Sequence, residues 1–277
     1  MERIKKLFQA TDMTVGEPWK QIVLFTIPML IGNIAQQLYN TVDSIVVGRY
    51  VGDNALAAVG SAGPILNLLL VLFVGISMGA SIMVAQYFGA KERENLSYTI
   101  GNCIFLTAAA SLIIMLLAMV AVRPLLVLLK TPDSILEWCY SYLMILFLGC
   151  VGSAYYNIMS GILRGLGDAF SALVYLLVST VLNIVLDVLF VAKFDMGVSG
   201  VAVATVIAQA VSAVLCIIRL ARMAELFDLK LVYIRPHKEF VANIVRLGLP
   251  SGLTQAIFSM AMIIVQSLTN SFGEAFI

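Results

Sequence analysis

The sequence predicts an all-α fold: a polytopic membrane helical bundle, with a six-helix lobe followed by the first helix of a second, repeated lobe. Hydrophobic residues make up 61% of the 277 residues and charged residues only 12%, whereas about a quarter of an average soluble domain is charged. The charges form clusters separated by long uncharged runs, and each run exceeds the roughly 20 residues that a helix needs to cross a bilayer. Segments of about ten alternating residues, typical of transmembrane β-strands, are absent from the sequence.

Each predicted helix is an apolar run between two charged clusters. The crossings are predicted at 21–48, 55–88, 96–122, 138–162, 169–192 and 197–218, with a seventh starting near 240. The first run is far longer than the core of a signal peptide and should be retained as a helix. We therefore divide the chain into a cytoplasmic N-terminal arm (1–18), an N-terminal six-helix lobe (19–222), a basic cytoplasmic linker (223–239) and the first helix of a truncated second lobe (240–277).

Basic residues predict the orientation of the chain. Thirteen Lys and Arg residues fall on the side of the N-terminal arm and the linker, and four fall on the opposite side. Because basic residues concentrate in cytoplasmic loops, we expect a multi-pass protein of the cell membrane with its N-terminus in the cytoplasm. The net charge of +1 gives no reason to expect a nucleic-acid partner. The expected partners are membrane lipids and small molecules.

An internal repeat indicates a second lobe. Residues 243–273 echo residues 21–52: Ile22, Val23 and Pro28 correspond to Ile244, Val245 and Pro250 at a constant offset of 222, and one residue is lost before the end of the repeat. Parallel repeats are typical of transporters whose two lobes move about a central site. We expect full transport to need the missing C-terminal lobe. The GxxxG motif at 75–79 predicts a close contact between two helices.

Two aspartates, Asp43 and Asp187, lie inside apolar stretches that contain no lysine or arginine. An unpaired carboxylate is costly in a bilayer and usually marks an ion path. Asp43 precedes Arg49 by six residues and Asp187 precedes Lys193 by six. With 1.5 Å per residue, each carboxylate is roughly 9 Å inside its outer charge. The two acids are therefore predicted at the same depth, in the outer half of the lobe.

Polar side chains share helix faces with these acids, because Tyr39 precedes Asp43 and Asn183 precedes Asp187 by four residues. Thr205 of the sixth span is predicted at the depth of Tyr39 and Asn183. We therefore predict an oxygen-rich pocket between the first, fifth and sixth helices that suits Na⁺ or a proton. Its expected cation ligands are Asp43, Asn183, Asp187 and Thr205. The alternative is that these side chains only join helices by hydrogen bonds.

Several motifs together resemble the multidrug and toxic compound extrusion (MATE) family of transporters. They are YNTVDSIVVGRYVG at 39–52, LAAVGSAGP at 56–64, VAQYFGAKERE at 84–94, YYNIMSGILRGLGD at 155–168, NIVLDVLF at 183–190 and GVSGVAVAT at 197–205. The resemblance implies a secondary antiporter that exports amphipathic or cationic drugs and toxic compounds in exchange for Na⁺ or H⁺, with no other cofactor. Family members have twelve helices.

The resemblance also assigns roles to residues. It places Asp43, Asn183, Asp187 and Thr205 in the cation site of the N-terminal lobe. Tyr39 and Asn157 match associated polar residues, and Pro28 matches a first-helix proline linked to bending. Spacing from Arg164 predicts that Asn157 lies well below the other residues of the site.

Other functions are less well supported by the sequence. GLGD at 165–168 matches a signature of intramembrane aspartyl proteases, but Asp168 is predicted at the opposite end of the helices from Asp43, so no enzyme is expected. GLGD instead predicts a helix stop and a turn. A lipid-linked oligosaccharide flippase would be expected to have basic residues in its cavity, and this lobe has acids in its apolar stretches. A non-transporting membrane subunit is the third alternative.

Overall fold

A computed structural model describes residues 16–223 and 225–271. Most of the predicted N-terminal arm (1–18) and the last six residues of the predicted second-lobe helix lie outside these ranges. Within them the chain forms helices and no strand. The helices are α1 (Pro18–Tyr50), α2 (Asp53–Gly89), α3 (Arg93–Leu128), α4 (Asp133–Leu148), α5 (Cys150–Gly165), α6 (Ala169–Asp187), a π-helix (Val188–Lys193), α7 (Gly197–Ala221), α8 (Leu231–Ile234) and α9 (Lys238–Ser271).

The helices lie where the apolar runs place them. Six are long and apolar enough to cross a membrane, and the pair α4 and α5 counts as a seventh span if it is taken together. The prediction of an all-α membrane bundle is confirmed. Helix α2 is central, since it packs against α3, α5, α4 and α9. Helix α1 packs mainly on α6 and is the most outlying span, with 11% of its most apolar window buried against 44% for α7.

The fourth predicted span, 138–162, is not a single straight helix. The chain bends by 53° between α4 and α5, at Gly149. A Cβ atom at Gly149 would collide with the side chain of Val206 on α7. Because Gly149 has no side chain, α7 can approach the chain closely at this point. The chain bends from α4 into α5 at the same residue.

The fifth predicted span, 169–192, changes its winding at the candidate site. The α-helix ends at Asp187, and the next six residues, Val188–Lys193, form a π-helix. π-Helical turns are rare and occur frequently at functional sites. The α-helical repeat of 3.6 residues per turn therefore applies to this span only as far as Asp187.

The GLGD segment is a helix stop and a turn, as predicted. Helix α5 ends at Gly165, and Gly167 adopts a φ of +77°, a conformation that favours glycine. Asp168 caps α6, because its Oδ1 accepts a hydrogen bond of 3.1 Å from the Ser171 amide. Its Oδ2 pairs with Arg219 Nη2 at 2.8 Å. Asp168 thus joins α6 and α7 at the end of the bundle that carries the linker, which we call the inner end, and forms no dyad with Asp43.

The predicted GxxxG contact joins α2 to α9. A Cβ atom at Gly79 would collide with the carbonyl oxygen of Ile244, and one at Gly248 would collide with that of Gly75. The two backbones are therefore in contact, because small residues at membrane helix crossings allow a close approach. At the outer end of the same helices, Gln266 Nε2 donates to Ser61 Oγ at 3.1 Å. Helix α9 is thus attached to α2 along its length.

The basic linker docks on the inner end of α3. The Asp228 amide donates to Ser97 Oγ at 2.9 Å, and the His237 amide donates to Asn102 Oδ1 at 2.7 Å. Arg93 Nη2 pairs with Asp228 Oδ1 at 3.0 Å. Because its backbone is hydrogen-bonded to the lobe at both ends, this linker follows the lobe rather than moving freely.

Candidate cation site and adjoining cavities

Asp43 of α1 and Asp187 of α6 are brought to one buried site. Asp43 is 7% exposed and Asp187 is fully buried. Asn183 lies between them, one helical turn before Asp187. With its amide nitrogen turned toward the acids, Asn183 Nδ2 donates to Asp43 Oδ1 at 2.8 Å and to Asp187 Oδ2 at 3.1 Å. A single amide nitrogen therefore bridges two carboxylates that are 144 positions apart in the chain.

The Asn183 amide has a second orientation with different consequences. When its oxygen faces the acids, Nδ2 points toward Thr205 Oγ1 at 3.5 Å, and three oxygen atoms face one another without a proton donor. Oxygen atoms repel in that arrangement unless a positive charge lies between them. The nitrogen-inward orientation suits a site without a cation, and the oxygen-inward orientation suits a site with one.

Tyr39 and Thr205 extend the cluster onto α7. The Tyr39 hydroxyl is buried and donates to Thr205 Oγ1 at 3.1 Å. The structure thus brings together five of the residues singled out from the sequence, and they come from α1, α6 and α7: Tyr39, Asp43, Asn183, Asp187 and Thr205. Their convergence on one buried site matches the sequence-based placement.

Some polar atoms of this region have no hydrogen-bond partner among the described residues. They are Asp187 Oδ1, Ser179 Oγ and Gln209 Oε1, and all three are buried. Most buried polar atoms in proteins are hydrogen-bonded, so an unpaired carboxylate oxygen beside a second acid needs an explanation. Carboxylate, amide and hydroxyl oxygens are hard ligands, which fit Na⁺ or a proton better than a soft metal. Residues 16–223 and 225–271 contain no group of three or more His, Cys, Asp and Glu side chains that could hold a metal ion.

Tyr142 of α4 belongs to the surroundings of this site and was missed in the sequence. Its side chain is buried, and both carboxylates act on its hydroxyl electrostatically. It follows Asp133 by nine residues, which gives a depth of roughly 14 Å from the outer end of α4. The depth argument that found Thr205 would have found Tyr142, had it been applied to the fourth span.

Asn157 and Pro28 lie apart from the carboxylates. The Asn157 side chain is exposed and donates to its own helix, at Ser153 O, over 2.8 Å. It lines a cavity that Tyr39 and Thr205 also line, so it faces the cluster across open space. Pro28 interrupts no helix, since α1 continues through it, and it borders a cavity beside α5 and α6.

Three adjoining cavities lie beside the site. An outer cavity of about 370 Å³ is lined by Tyr39, Thr205 and Gln209 among others. Two cavities of about 250 and 770 Å³ lie toward the inner ends of the helices, and all three share Asn157. Among the residues that the structure describes, no Asp or Glu lines any of the three, and Arg164 is their single charged lining residue. The described acids of the lobe interior therefore belong to the buried cluster and not to these cavity walls.

Comparisons with known proteins agree with this architecture. The MatE family profile matches residues 28–189. The probable multidrug resistance protein YoeA of Bacillus subtilis (strain 168) is 31% identical over 264 residues, which cover 92% of this chain and 57% of that protein. A multidrug resistance MATE family transporter of the MOP superfamily is similar in its inward-facing conformation, with a TM-score of 0.83, 31% identity, and coverage of 92% of this chain and 58% of that one.

An outward-facing MATE family transporter of the same superfamily gives a TM-score of 0.84 and 32% identity, with coverage of 94% of this chain and 57% of that one. The helical bundle is thus similar in fold to the corresponding part of these membrane transporters. The chain belongs to the MATE family. It spans between a half and two thirds of the length of the relatives it matches.

Proposed function

We propose that this chain is the N-terminal lobe, with the first helix of the second lobe, of a secondary active antiporter that exports amphipathic or cationic compounds in exchange for Na⁺ or H⁺. The observation that carries the proposal is the bridging of Asp43 and Asp187 by Asn183 in a buried site. Membership of the MATE family supports it, because the curated relatives are described as multidrug resistance and multidrug export proteins. The remaining lobe would complete the transport path.

The proposed exchange rests on charge compensation. Two carboxylates in a low-dielectric site repel each other, so a site without a cation is destabilised and a bound Na⁺ or proton relieves the repulsion. We suppose that the cation binds one access state of the lobe and the exported compound binds the other. Each ligand then shifts the conformational equilibrium toward the state that it binds, and so opposes binding of the other ligand. Such coupling needs a cation affinity that differs between the two states.

The Asn183 amide gives this proposal a structural reporter. We propose that cation binding turns its oxygen toward the acids and its nitrogen toward Thr205, a change that needs only a rotation about the last side-chain bond. Binding would then alter the Tyr39 to Thr205 hydrogen bond, which borders the outer cavity. The rearrangement would connect the buried cluster to the wall of the transport path.

The test uses the full-length transporter in inside-out vesicles, energised either by a Na⁺ gradient or by a pH gradient. The gradient that drives uptake of a cationic dye identifies the coupling ion. Asp43→Asn should abolish gradient-driven uptake, because the neutral amide removes one of the two charges that hold the cation. Asp53→Asn makes the same chemical change at an exposed carboxylate that lines none of the three cavities, and serves as a matched control. Full activity in Asp43→Asn would refute the role proposed for this acid.

We further propose that the protein lies in the cell membrane with the N-terminal arm and the linker in the cytoplasm. The excess of Lys and Arg on that side supports this orientation. In this orientation the buried acids lie nearer the outer surface, and the two inner cavities lie nearer the cytoplasm from which compounds would enter.

A further inference from the structure

Arg164 lies at the inner end of α5 and lines both inner cavities. Its side chain is half-buried, and no described residue forms a hydrogen bond or an ion pair with its guanidinium group. A guanidinium has five N–H donors and is always charged in proteins. Partly buried arginines are normally paired with an acid or with several acceptors, because an unpaired charge is costly to bury.

The acids that could neutralise Arg164 are engaged elsewhere. Asp168, four residues further along, pairs with Arg219 and caps α6. Asp43 and Asp187 share the Asn183 amide and line neither inner cavity. The charge of Arg164 therefore faces the cavities without a compensating carboxylate among the residues described.

The position of Arg164 is fixed by the backbone that precedes and follows it. Gly161 and Gly165 let α5 approach α2 so closely that a Cβ at Gly165 would lie 2.7 Å from Ser81 O, and one at Gly161 would lie 2.6 Å from Ser77 Oγ. This close approach holds the arginine at the wall of the larger cavity. Further donors to the same cavity come from hydroxyl and amide groups of α1, α2 and α9: Asn33, Ser81, Ser251 and Gln255.

The rest of the larger cavity is apolar. Phe25, Met29, Met78, Ile82 and Phe258 line it together with these polar groups. A cavity with one fixed cation, several neutral donors and an aromatic and methionine surface is complementary to an apolar molecule that carries one anionic oxygen group. A molecule whose only charge is positive would be repelled by Arg164 and would contact no carboxylate among the described residues of this wall.

We propose that Arg164 binds the carboxylate or phosphate of amphipathic substrates, so that the transporter prefers zwitterionic or anionic amphipathic compounds to otherwise identical cations. This inference rests on the proposed antiport and specifies the substrate class of the same transport path. The anionic group pairs with Arg164 near the cytoplasmic entrance, and the apolar body contacts the aromatic and methionine side chains. Neutral donors supply the remaining hydrogen bonds.

The experiment compares two dyes that share one scaffold. Rhodamine B has a free carboxylate, and its ethyl ester is a cation of nearly the same shape. Gradient-driven uptake of each is measured in inside-out vesicles that contain the full-length transporter. We expect a lower KM for rhodamine B than for the ester. We also expect Arg164→Gln to raise the KM for rhodamine B about tenfold, since hydrogen bonds to charged groups are among the stronger ones, and to leave the KM for the ester unchanged or lower.

Matched variants distinguish binding from structural damage. Arg164→Lys keeps the charge but not the bidentate geometry, and should restore part of the preference. Arg246→Gln removes an exposed arginine of α9 that lines none of these cavities, and should leave both KM values unchanged. Equal KM values for the two dyes in the unmodified transporter, or an equal loss for both dyes in Arg164→Gln with no rescue by lysine, would overturn the proposal.

A third part of the experiment tests whether the anionic group that Arg164 binds belongs to a drug or to a lipid. Farnesyl pyrophosphate is added as a competitor of rhodamine B uptake. Weak competition, at concentrations well above the KM of the dye, fits a drug carboxylate as the preferred ligand. Competition far below that KM supports Arg164 as the anion-binding residue and assigns it to a lipid pyrophosphate rather than to a drug carboxylate. If neither gradient drives either dye, the antiport proposal itself fails, an outcome distinct from a loss of discrimination between the two dyes.

Discussion

Single residues at the inner end of the lobe carry more of its stability than their number suggests. Asp168 is fully buried and makes two kinds of interaction: a cap on α6 and an ion pair with Arg219 of α7. Breaking a buried pair by removing one partner leaves the other charge uncompensated. The exposed pair of Arg123 and Glu137 offers a direct contrast, because both side chains are well exposed to solvent.

We predict that Asp168→Asn lowers the free energy of unfolding by about 3 kcal/mol, since it leaves Arg219 without its acid. Glu137→Gln should change it by less than about 1 kcal/mol, as is typical of surface pairs. Thermal unfolding in detergent, followed by exposure of the buried cysteines, measures both. Equal effects of the two substitutions would show that the Asp168 contact has no special stabilising role.

Tyr142 tests whether the site extends beyond the residues that the sequence indicated. We predict that Tyr142→Phe raises the cation concentration for half-maximal uptake severalfold, because its buried hydroxyl lies within electrostatic range of both carboxylates. Tyr155→Phe is the control, since its hydroxyl donates to Ile104 O at 3.2 Å and belongs to a different contact. Dye uptake at varied Na⁺ or H⁺ concentration gives the comparison. An unchanged cation dependence in Tyr142→Phe would remove Tyr142 from the site.

Among the secondary-structure elements, the contact between α2 and α9 depends on glycines that leave no room for a side chain. We predict that Gly79→Ala destabilises the protein by roughly 1–3 kcal/mol, the usual cost of overpacking, because its Cβ would collide with the Ile244 carbonyl group. Gly60→Ala, on the same helix, meets no atom within 4 Å and should be neutral or slightly stabilising. Thermal unfolding of the two variants decides the matter. Equal stability would mean that α9 moves away at little cost.

The proline of α1 is a second feature at this scale. Pro28 lacks a backbone N–H, so the helix is weakened one turn before it and bends there more easily. We predict that Pro28→Ala reduces cation-driven efflux, because the restored hydrogen bond stiffens α1 between its inner half and Asp43. Pro124→Ala in α3 changes a proline inside another helix and serves as the control. Full efflux with unchanged cation coupling in Pro28→Ala would end the idea that bending and cation binding are linked.

At the scale of the whole molecule, the positive-inside pattern gives a topology that cysteine labelling can check. We predict that a membrane-impermeant maleimide labels Lys193→Cys, but not Lys230→Cys, on intact cells, and that inside-out vesicles reverse the result. The native cysteines at positions 103, 139, 150 and 216 are buried and should give little background. Labelling of Lys230→Cys from outside the cell would invert the topology proposed here.

The sequence was most informative where one physical rule dominates. Charges and apolar runs delimit the spans because the cost of charge in hydrocarbon overrides local preference. The depth of Asp43 and Asp187 followed from counting residues along regular helices, and the structure does bring the two acids together.

Features that depend on packing between distant segments were not predictable. The bend at Gly149 requires the neighbouring Val206, and the π-helix after Asp187 departs from the regular spacing on which the depth argument relies. The unpaired state of Arg164 could not be inferred either, because Asp168 is only four residues from Arg164 in the sequence and yet pairs with Arg219, 51 residues away.

The outlying position of α1 has an energetic consequence. This helix carries Asp43, yet most of its surface faces away from the rest of the lobe. Hydrocarbon chains solvate leucine and isoleucine about as well as another helix does, so a change in the shape of α1 exchanges one apolar neighbour for another at nearly equal free energy. If α1 adopts two shapes in the transport cycle, the free energy of neutralising one carboxylate would then be large enough by comparison to select between them. A helix packed on all sides would lose more packing free energy on changing shape than the neutralisation of one carboxylate supplies.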